Sequence, residues 1–287
     1  MDSMNTLLNT ANARSGVRRV AGLTAGVGTQ ALFAFTVVHL FSFLRYGVPQ
    51  SGPNWLLIDS LLALQFAVPH SWLLHPTTRK QLRPWIGAEF YGAFFCVWTC
   101  VSLLVLFHYW QAHPQAVWNL NGFSSAAVLA AFGFSWISLL YSISLTGLGY
   151  QTGWTQWLHW WRGEKLPRRD FQPVSLYRWL RHPVYLSFLG LIWFTPNMTL
   201  DHVVLTGIWT VYIFCGSALK DQRLEFYLGE SYDQYRQQVP GFPFFPGSLL
   251  GRRPATSTDL DPETETDADA DSHINSAPSS AAIRRAG

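Results

Sequence analysis

Four long apolar runs dominate the first half of the chain. They cover residues 20–43, 55–74, 85–110 and 125–148, and polar or turn-forming segments separate them. A helix that crosses a bilayer needs about 20 mostly apolar residues. Each run reaches that length, so the pattern predicts four transmembrane helices.

A fifth apolar passage, residues 183–219, is too long for one span and short for two. Thr195-Pro196-Asn197 interrupts it, and Pro ends a helix while Asn favours a turn. We expect a hairpin of two short, tilted helices, followed by a charged amphipathic helical segment in the cytosol. The predicted fold class is therefore an all-α integral membrane protein, with about four transmembrane helices plus a C-terminal helical hairpin.

The two ends of the chain differ from this middle. Residues 1–19 are polar and predict a flexible N-terminus without a cleavable signal, so the first helix should remain as an anchor. Residues 247–287 are rich in Asp, Glu, Thr, Ser and Ala, which predicts a disordered acidic tail. The transmembrane domain is expected at residues 20–246.

Composition agrees with a membrane protein, because 49% of the residues are hydrophobic and only 13% are charged. The net charge of +3 is spread over loops rather than gathered on one face, so we expect no nucleic-acid partner. The three cysteines lie in apolar runs without a paired spacing toward His. They predict neither a metal site nor a disulfide framework.

Charge asymmetry predicts the orientation. Arg45 is the only one of the 20 Lys and Arg residues that falls in a predicted outer loop. Cytoplasmic loops of membrane proteins carry the excess of Lys and Arg. Both termini should therefore be cytoplasmic.

Four separate segments bring polar side chains to the predicted cytosolic boundary. These side chains are His70, Gln151, the group Arg181, His182 and Tyr185, and Asp221. Ionisable groups at membrane depth are costly unless they pair or serve a function. We therefore expect an active site at this boundary, although each residue alone also fits a structural contact, such as a snorkelling arginine.

Two motifs and one acid frame the apolar hairpin: Arg181-His182-Pro183-x-Tyr185, Asp221, and Gly229-x-x-Tyr232-x-x-Tyr235. This combination resembles the membrane methyltransferase superfamily of the isoprenylcysteine carboxyl methyltransferase and phospholipid methyltransferase type. Residues 193–199, Trp-Phe-Thr-Pro-Asn-Met-Thr, are most similar to its methanethiol S-methyltransferase branch. The resemblance covers residues 20–246.

The resemblance implies an enzyme of the bacterial inner membrane that uses S-adenosylmethionine to convert methanethiol to dimethyl sulfide at the cytosolic face. It assigns donor binding to Arg181, His182, Pro183, Tyr185, Gln151 and Asp221. A guanidinium suits the carboxylate of the donor, and aromatic rings attract its sulfonium. His182 and His70 are the implied bases that assist the thiol, and no metal is implied. Membrane lipids are the other expected partners.

One departure from the superfamily pattern leaves more than one class of methyl acceptor possible. Lys220 and Asp221 stand where the superfamily usually has two glutamates. A lipid-borne group or a prenylcysteine-type carboxylate therefore remains an alternative acceptor.

Two non-enzymatic interpretations also remain. A haem protein would use His39 and His108 as axial ligands, and it would show a haem absorbance band. A structural or transport subunit would use the same helices. Such a subunit would not need the motif at 181–185 beside Asp221.

Overall fold

The computed structural model of the protein describes residues 2–167 and 172–244, with side chains from Gly22 onward. Contacts group Met1–Arg253 into one unit and Pro254–Gly287 into another. The predicted acidic tail at 247–287 lies outside the described residues and stays a prediction. The flexibility of residues 1–19 stays a prediction too.

Helices account for nearly all regular structure in the described residues. In chain order the elements are α1 Asp2–Tyr46, α2 Trp55–Leu74, α3 Pro76–Ile86, α4 Tyr91–Tyr109, β1 Ala116–Asn119, α5 Gly122–Thr146, α6 Leu148–Gln151, α7 Trp154–Arg162, a 3₁₀ helix Ser175–Arg178, α8 Pro183–Trp193, β2 Asn197–Thr199, α9 Leu200–Leu228 and α10 Glu230–Gln238. Within the part of the chain that the structure describes, five helices are long and apolar enough to cross a membrane, namely α1 from Gly22, α2, α4, α5 and α9. The predicted all-α integral membrane fold is confirmed.

The C-terminal hairpin forms as predicted, with α8 and α9 as its arms, but its second arm is not short. α8 has 11 residues, whereas α9 has 29 and continues past Lys220 to Leu228. No Pro or Gly interrupts the chain between Leu219 and Gly229, and Gly229, with a φ of 58°, ends the helix. The predicted charged segment is therefore divided between the end of α9 and α10.

A two-stranded antiparallel ribbon, which the sequence analysis did not predict, fixes the tip of the hairpin. β2 pairs with β1 in the loop between α4 and α5, with Trp118 opposite Met198 and Asn119 opposite Asn197. Trp118 Nε1 also donates to Thr195 O at 3.0 Å. The tip thus lies beside the α4–α5 loop, so the start of α8 and the end of α9 lie at the other end of the bundle.

Helix packing holds the hairpin in place. α8 contacts both α5 and α9, α9 packs on α2, and α4 packs on α1 and α2. Leu106, Leu191 and Ile192 are fully buried in this core. Gly190 lets α8 approach α5 closely, since a Cβ at this position would overlap the Ser135 hydroxyl. The same packing sets the start of α8 against the far part of α9.

Candidate active site

An arginine, a histidine and an aspartate form a buried ionic cluster where α8 begins. Arg181 Nη2 lies 3.4 Å from Asp221 Oδ2, and His182 Nε2 lies 3.2 Å from the same carboxylate. The exposed fractions of Arg181, His182 and Asp221 are only 2%, 0% and 1%. The hairpin therefore brings His182 and Asp221, which are 39 positions apart, into contact inside the protein.

The local sequence explains how the cluster is placed. Pro183 occupies the first turn of α8, where a missing N–H costs no helical hydrogen bond, so the helix begins directly after His182. The Arg181 N–H donates to Pro240 O at 2.9 Å, which ties the segment before α8 to the chain after α10. Asp221 reaches the cluster because α9 continues beyond its apolar part.

Helix α10 covers the cluster with two tyrosines. Tyr232 donates a hydrogen bond to Asp221 Oδ1, and Tyr235 donates to Tyr177 O at 2.5 Å. Burial, together with the neighbouring carboxylate, raises the pKa of Tyr232, so its hydroxyl stays protonated and donates. Residues three apart share a helix face. The spacing of Tyr232 and Tyr235, which the sequence analysis used only for the resemblance, therefore aims both at the site.

The imidazole ring of His182 is uncharged and can accept a proton. Burial lowers its pKa, although the hydrogen bond to Asp221 acts in the opposite direction. The ring is therefore neutral near pH 7, and Nε2 donates to Asp221 Oδ2 at 3.2 Å. Nδ1 is buried and has no hydrogen-bond partner among the described residues. A histidine that an aspartate holds, with one bare ring nitrogen, is arranged as a general base.

A cleft of about 270 Å³ opens beside the cluster, between α2, α3, α8 and α9. Tyr185 forms its wall toward the cluster, and its ring centroid lies 5.5 Å from that of His182. Arg223 also lines the cleft and donates from Nη1 to Leu74 O at 3.2 Å. The cleft thus offers a guanidinium and an aromatic ring next to the buried pair.

An apolar groove of about 700 Å³ adjoins this cleft. α2 and α9 form it, with side chains such as Leu64 and Val211 that are largely exposed on the outside of the bundle. Four residues line both the cleft and the groove: Ser71, His75, Tyr212 and Leu219. Because both helices are apolar enough to span a membrane, we expect the groove to face lipid.

Five of the predicted site residues meet here: Arg181, His182, Pro183, Tyr185 and Asp221. His70 lies apart from them. Its ring packs against Phe66, Phe95 and Tyr212, with centroid distances of 5.2, 4.8 and 6.1 Å. Tyr212 lines the cleft, whereas His70 stands behind it, so its proposed catalytic role stays a prediction.

Gln151 is also set apart from the cluster. It is exposed and donates to Thr146 Oγ1 at 2.6 Å, near the end of α5. The Thr146 hydroxyl in turn bonds to Tyr177, which lies at the edge of the site. Gln151 therefore reaches the site only through intermediate residues, and its role in donor binding stays a prediction.

The sequence analysis missed most residues that line the cleft, among them Tyr212, Gly216, Leu219 and Arg223. These four follow a spacing of three and four residues along α9. This spacing places all four on one face of the helix. The spacing of these residues is therefore the sequence signal from which they could have been predicted.

Comparison with known proteins places the chain in a family. The family model of the NnrU protein matches residues 58–252. A methanethiol S-methyltransferase from Pseudomonas sp. is 32% identical over 232 residues, which cover 77% of this chain and 89% of that protein. A methanethiol S-methyltransferase from Pseudomonas deceptionensis is 34% identical over 215 residues, covering 70% and 82%.

Nurim from Danio rerio is 28% identical over 192 residues, which cover 62% of this chain and 67% of that protein. No solved structure matches the chain. The chain belongs to the NnrU protein family and to the group of membrane methyltransferases that its Pseudomonas relatives represent. The resemblance drawn from the motifs is confirmed.

Proposed function

We propose that this protein transfers a methyl group from S-adenosylmethionine to a small thiol such as methanethiol, giving dimethyl sulfide. The names of the two Pseudomonas relatives support this acceptor. The observation that carries the proposal is the buried His182–Asp221 pair beside a cleft that joins an apolar groove. Such a site offers a base for the proton and an apolar path for a small uncharged acceptor.

The base matters because a thiol reacts as its thiolate. A free thiol with a pKa of about 8.5 is mostly protonated at neutral pH. In the proposal His182 Nδ1 takes the S–H proton, and Asp221 stabilises the imidazolium that forms. The thiolate sulfur then bonds to the methyl carbon as the bond from that carbon to the sulfonium breaks. The electron pair stays on the donor sulfur, which leaves as the neutral thioether of S-adenosylhomocysteine.

Arg223 is the residue best placed to hold the carboxylate of the donor, because it lines the cleft. Arg181 is fixed instead by Asp221 and by the carbonyl of Arg236, to which Nη1 donates at 3.2 Å. In this proposal Arg181 therefore positions Asp221 rather than binding the donor. Tyr185 lines the same cleft and would lie against the bound donor.

The cleft, at about 270 Å³, is slightly smaller than the roughly 300–1,000 Å³ of small-molecule sites, whereas the groove, at about 700 Å³, falls within that range. The two joined spaces leave room for the donor and a small acceptor. Gly207 lines the groove, and a Cβ built on it meets no atom within 4 Å, so the groove is open there. A small apolar thiol dissolved in the bilayer would reach Tyr212 by this path.

We further propose that the site faces the cytosol of the bacterial inner membrane and that both termini lie on that side. The distribution of Lys and Arg supports this orientation, with Arg45 as the only exception in the outer loops. The donor is made in the cytosol, so a site at this face would have direct access to it.

A lipid-borne acceptor, including a prenylcysteine-type carboxylate, is the second candidate. The groove favours it because an alkyl chain would fit between α2 and α9. A carboxylate is already ionised at neutral pH and needs no base. His182 would then be dispensable as a base, which separates a carboxylate acceptor from the thiol.

Transfer of a methyl label tests the proposal. The full chain, purified in lipid nanodiscs, is mixed with methyl-labelled S-adenosylmethionine and either methanethiol or a membrane lipid extract. Label in volatile dimethyl sulfide supports the thiol, and label in the lipid fraction supports the second candidate. Failure to transfer to either acceptor contradicts both, and a haem absorbance band would favour the haem interpretation.

A further inference from the structure

Lys220 places an ammonium group beside the tyrosines at the edge of the site. Its Nζ lies 5.5 Å from the ring centroid of Tyr185 and 5.8 Å from that of Tyr177. Both distances are within the ~6 Å at which an aromatic ring attracts a cation. Tyr185, whose ring lines the cleft, therefore already lies near a cation that belongs to the protein.

The charges around Lys220 offset this cation only in part. Asp221 is the neighbouring carboxylate, and Arg181, His182 and Tyr232 already share it. Arg223 adds a positive charge to the cleft, less than one helical turn further along α9. A second cation that entered the cleft would meet a positive environment next to the ring of Tyr185, which Lys220 already occupies.

We propose that Lys220 sets the preference of this site between the charged and the uncharged form of the methyl donor. This inference rests on the proposed function. The ammonium repels the sulfonium of S-adenosylmethionine, whereas the neutral thioether of S-adenosylhomocysteine feels no such repulsion. Lys220 is thereby a specificity-determining residue that weakens donor binding relative to product binding.

The consequence is an enzyme whose rate depends on the ratio of donor to product. The donor sulfur loses its positive charge during the transfer, so the repulsion from Lys220 is greatest before the reaction and absent after it. The bound donor is destabilised relative to the transition state. Lys220 does not repel the product S-adenosylhomocysteine. The product therefore competes with S-adenosylmethionine for the site.

The test compares dissociation constants of S-adenosylmethionine and S-adenosylhomocysteine, measured by calorimetry on the full chain in nanodiscs. Lys220→Met should shift the ratio of the two constants about tenfold in favour of the donor, as expected for two unit charges several ångströms apart. Lys220→Arg keeps the charge and should leave the ratio unchanged. Lys165→Met removes an exposed lysine of the loop after α7 and should also leave it unchanged.

An unchanged ratio in a folded Lys220→Met variant would overturn the inference. A loss of donor binding in that variant would overturn it as well, because Lys220 would then support the donor. Lys220→Gln replaces Lys220→Met if the methionine variant loses its helical circular dichroism. If the wild type binds neither compound, the proposed function fails, and that outcome is distinct from an unchanged ratio between two bound ligands.

Discussion

Tyr232 donates a hydrogen bond to Oδ1 of Asp221, the carboxylate that also contacts His182 at 3.2 Å and Arg181 at 3.4 Å. Two other parts of the chain, the segment before α8 and helix α10, thus converge on this acid of α9. An acid with three donors has little freedom to rotate, and its orientation fixes which nitrogen of His182 carries the proton. α10 therefore belongs to the site although it lies outside the apolar hairpin.

Tyr232→Phe tests this positioning role, since it removes the hydrogen bond and keeps the ring. We expect a stability loss of about 1 kcal/mol, the typical net value of one hydrogen bond. We also expect kcat to fall several-fold with the donor dissociation constant unchanged, because Asp221 orients His182 less well. Tyr227→Phe is the matched control, since Tyr227 is 56% exposed. Equal kcat values for the two variants would argue against the role of Tyr232.

Arg181→Met tests the assignment of Arg181 to the structure rather than to the donor. Removing one partner of a buried ion pair typically costs about 3–5 kcal/mol, because the remaining charge stays buried and uncompensated. We expect a loss of this size in denaturant unfolding. Adding Asp221→Asn should recover part of it, which a double-mutant cycle measures. A stable single variant that only binds the donor less tightly would instead support the original prediction for Arg181.

Arg223→Gln tests the proposed contact with the donor carboxylate. Hydrogen bonds to charged groups contribute about 1.5–3 kcal/mol, so the donor should bind at least about tenfold more weakly. Stability should change little, because Arg223 contacts only the Leu74 carbonyl among the hydrogen bonds described for it. Arg178→Gln removes an exposed arginine that bonds to Pro173 O and serves as control. Donor affinity that is the same in both variants would remove Arg223 from the binding site.

Gly207→Leu tests the groove as the path of the acceptor. A side chain at this position points into open space, so it should fill the groove without disturbing the fold. We expect a higher KM for methanethiol and an unchanged donor dissociation constant. Gly133→Leu on α5 is a matched control, because a Cβ there also meets no atom within 4 Å. If both variants have the wild-type KM, the acceptor arrives by another path.

The hydropathy pattern was enough to predict the main apolar helices and the C-terminal hairpin. The second apolar run, residues 55–74, coincides with α2, and the predicted break at Thr195-Pro196-Asn197 lies between the end of α8 and the start of α9. The motif at 181–185 and Asp221 also lie together, because a hairpin with a central break brings its two ends to the same side. These features depend on composition and chain reversal, which are visible in the sequence.

The features that the sequence did not predict depend on how each helix is rotated about its own axis and on two very short strands. His70 and Gln151 lie toward the ends of α2 and α6, but position along a helix does not fix the direction of a side chain around the axis. β1 and β2 have four and three residues, too few for an alternating pattern to be recognised. The position of Lys220 over Tyr177 and Tyr185 depends on how α9 is turned against α8, which only the packed structure shows.

The central claim is that His182, held by Asp221, takes the proton from the thiol. The most direct test is the pH dependence of kcat with methanethiol, for the wild type and His182→Ala. Because burial lowers the pKa of His182 from its usual 6.5, the wild-type rate should stay level through neutral pH and fall only below that value.

His182→Ala should be about 10²–10⁴-fold slower at neutral pH, which is the usual contribution of a general base. The deficit should shrink as the pH rises, since more of the thiol then ionises without help. A deficit of constant size at every pH, or no deficit at all, would contradict the account.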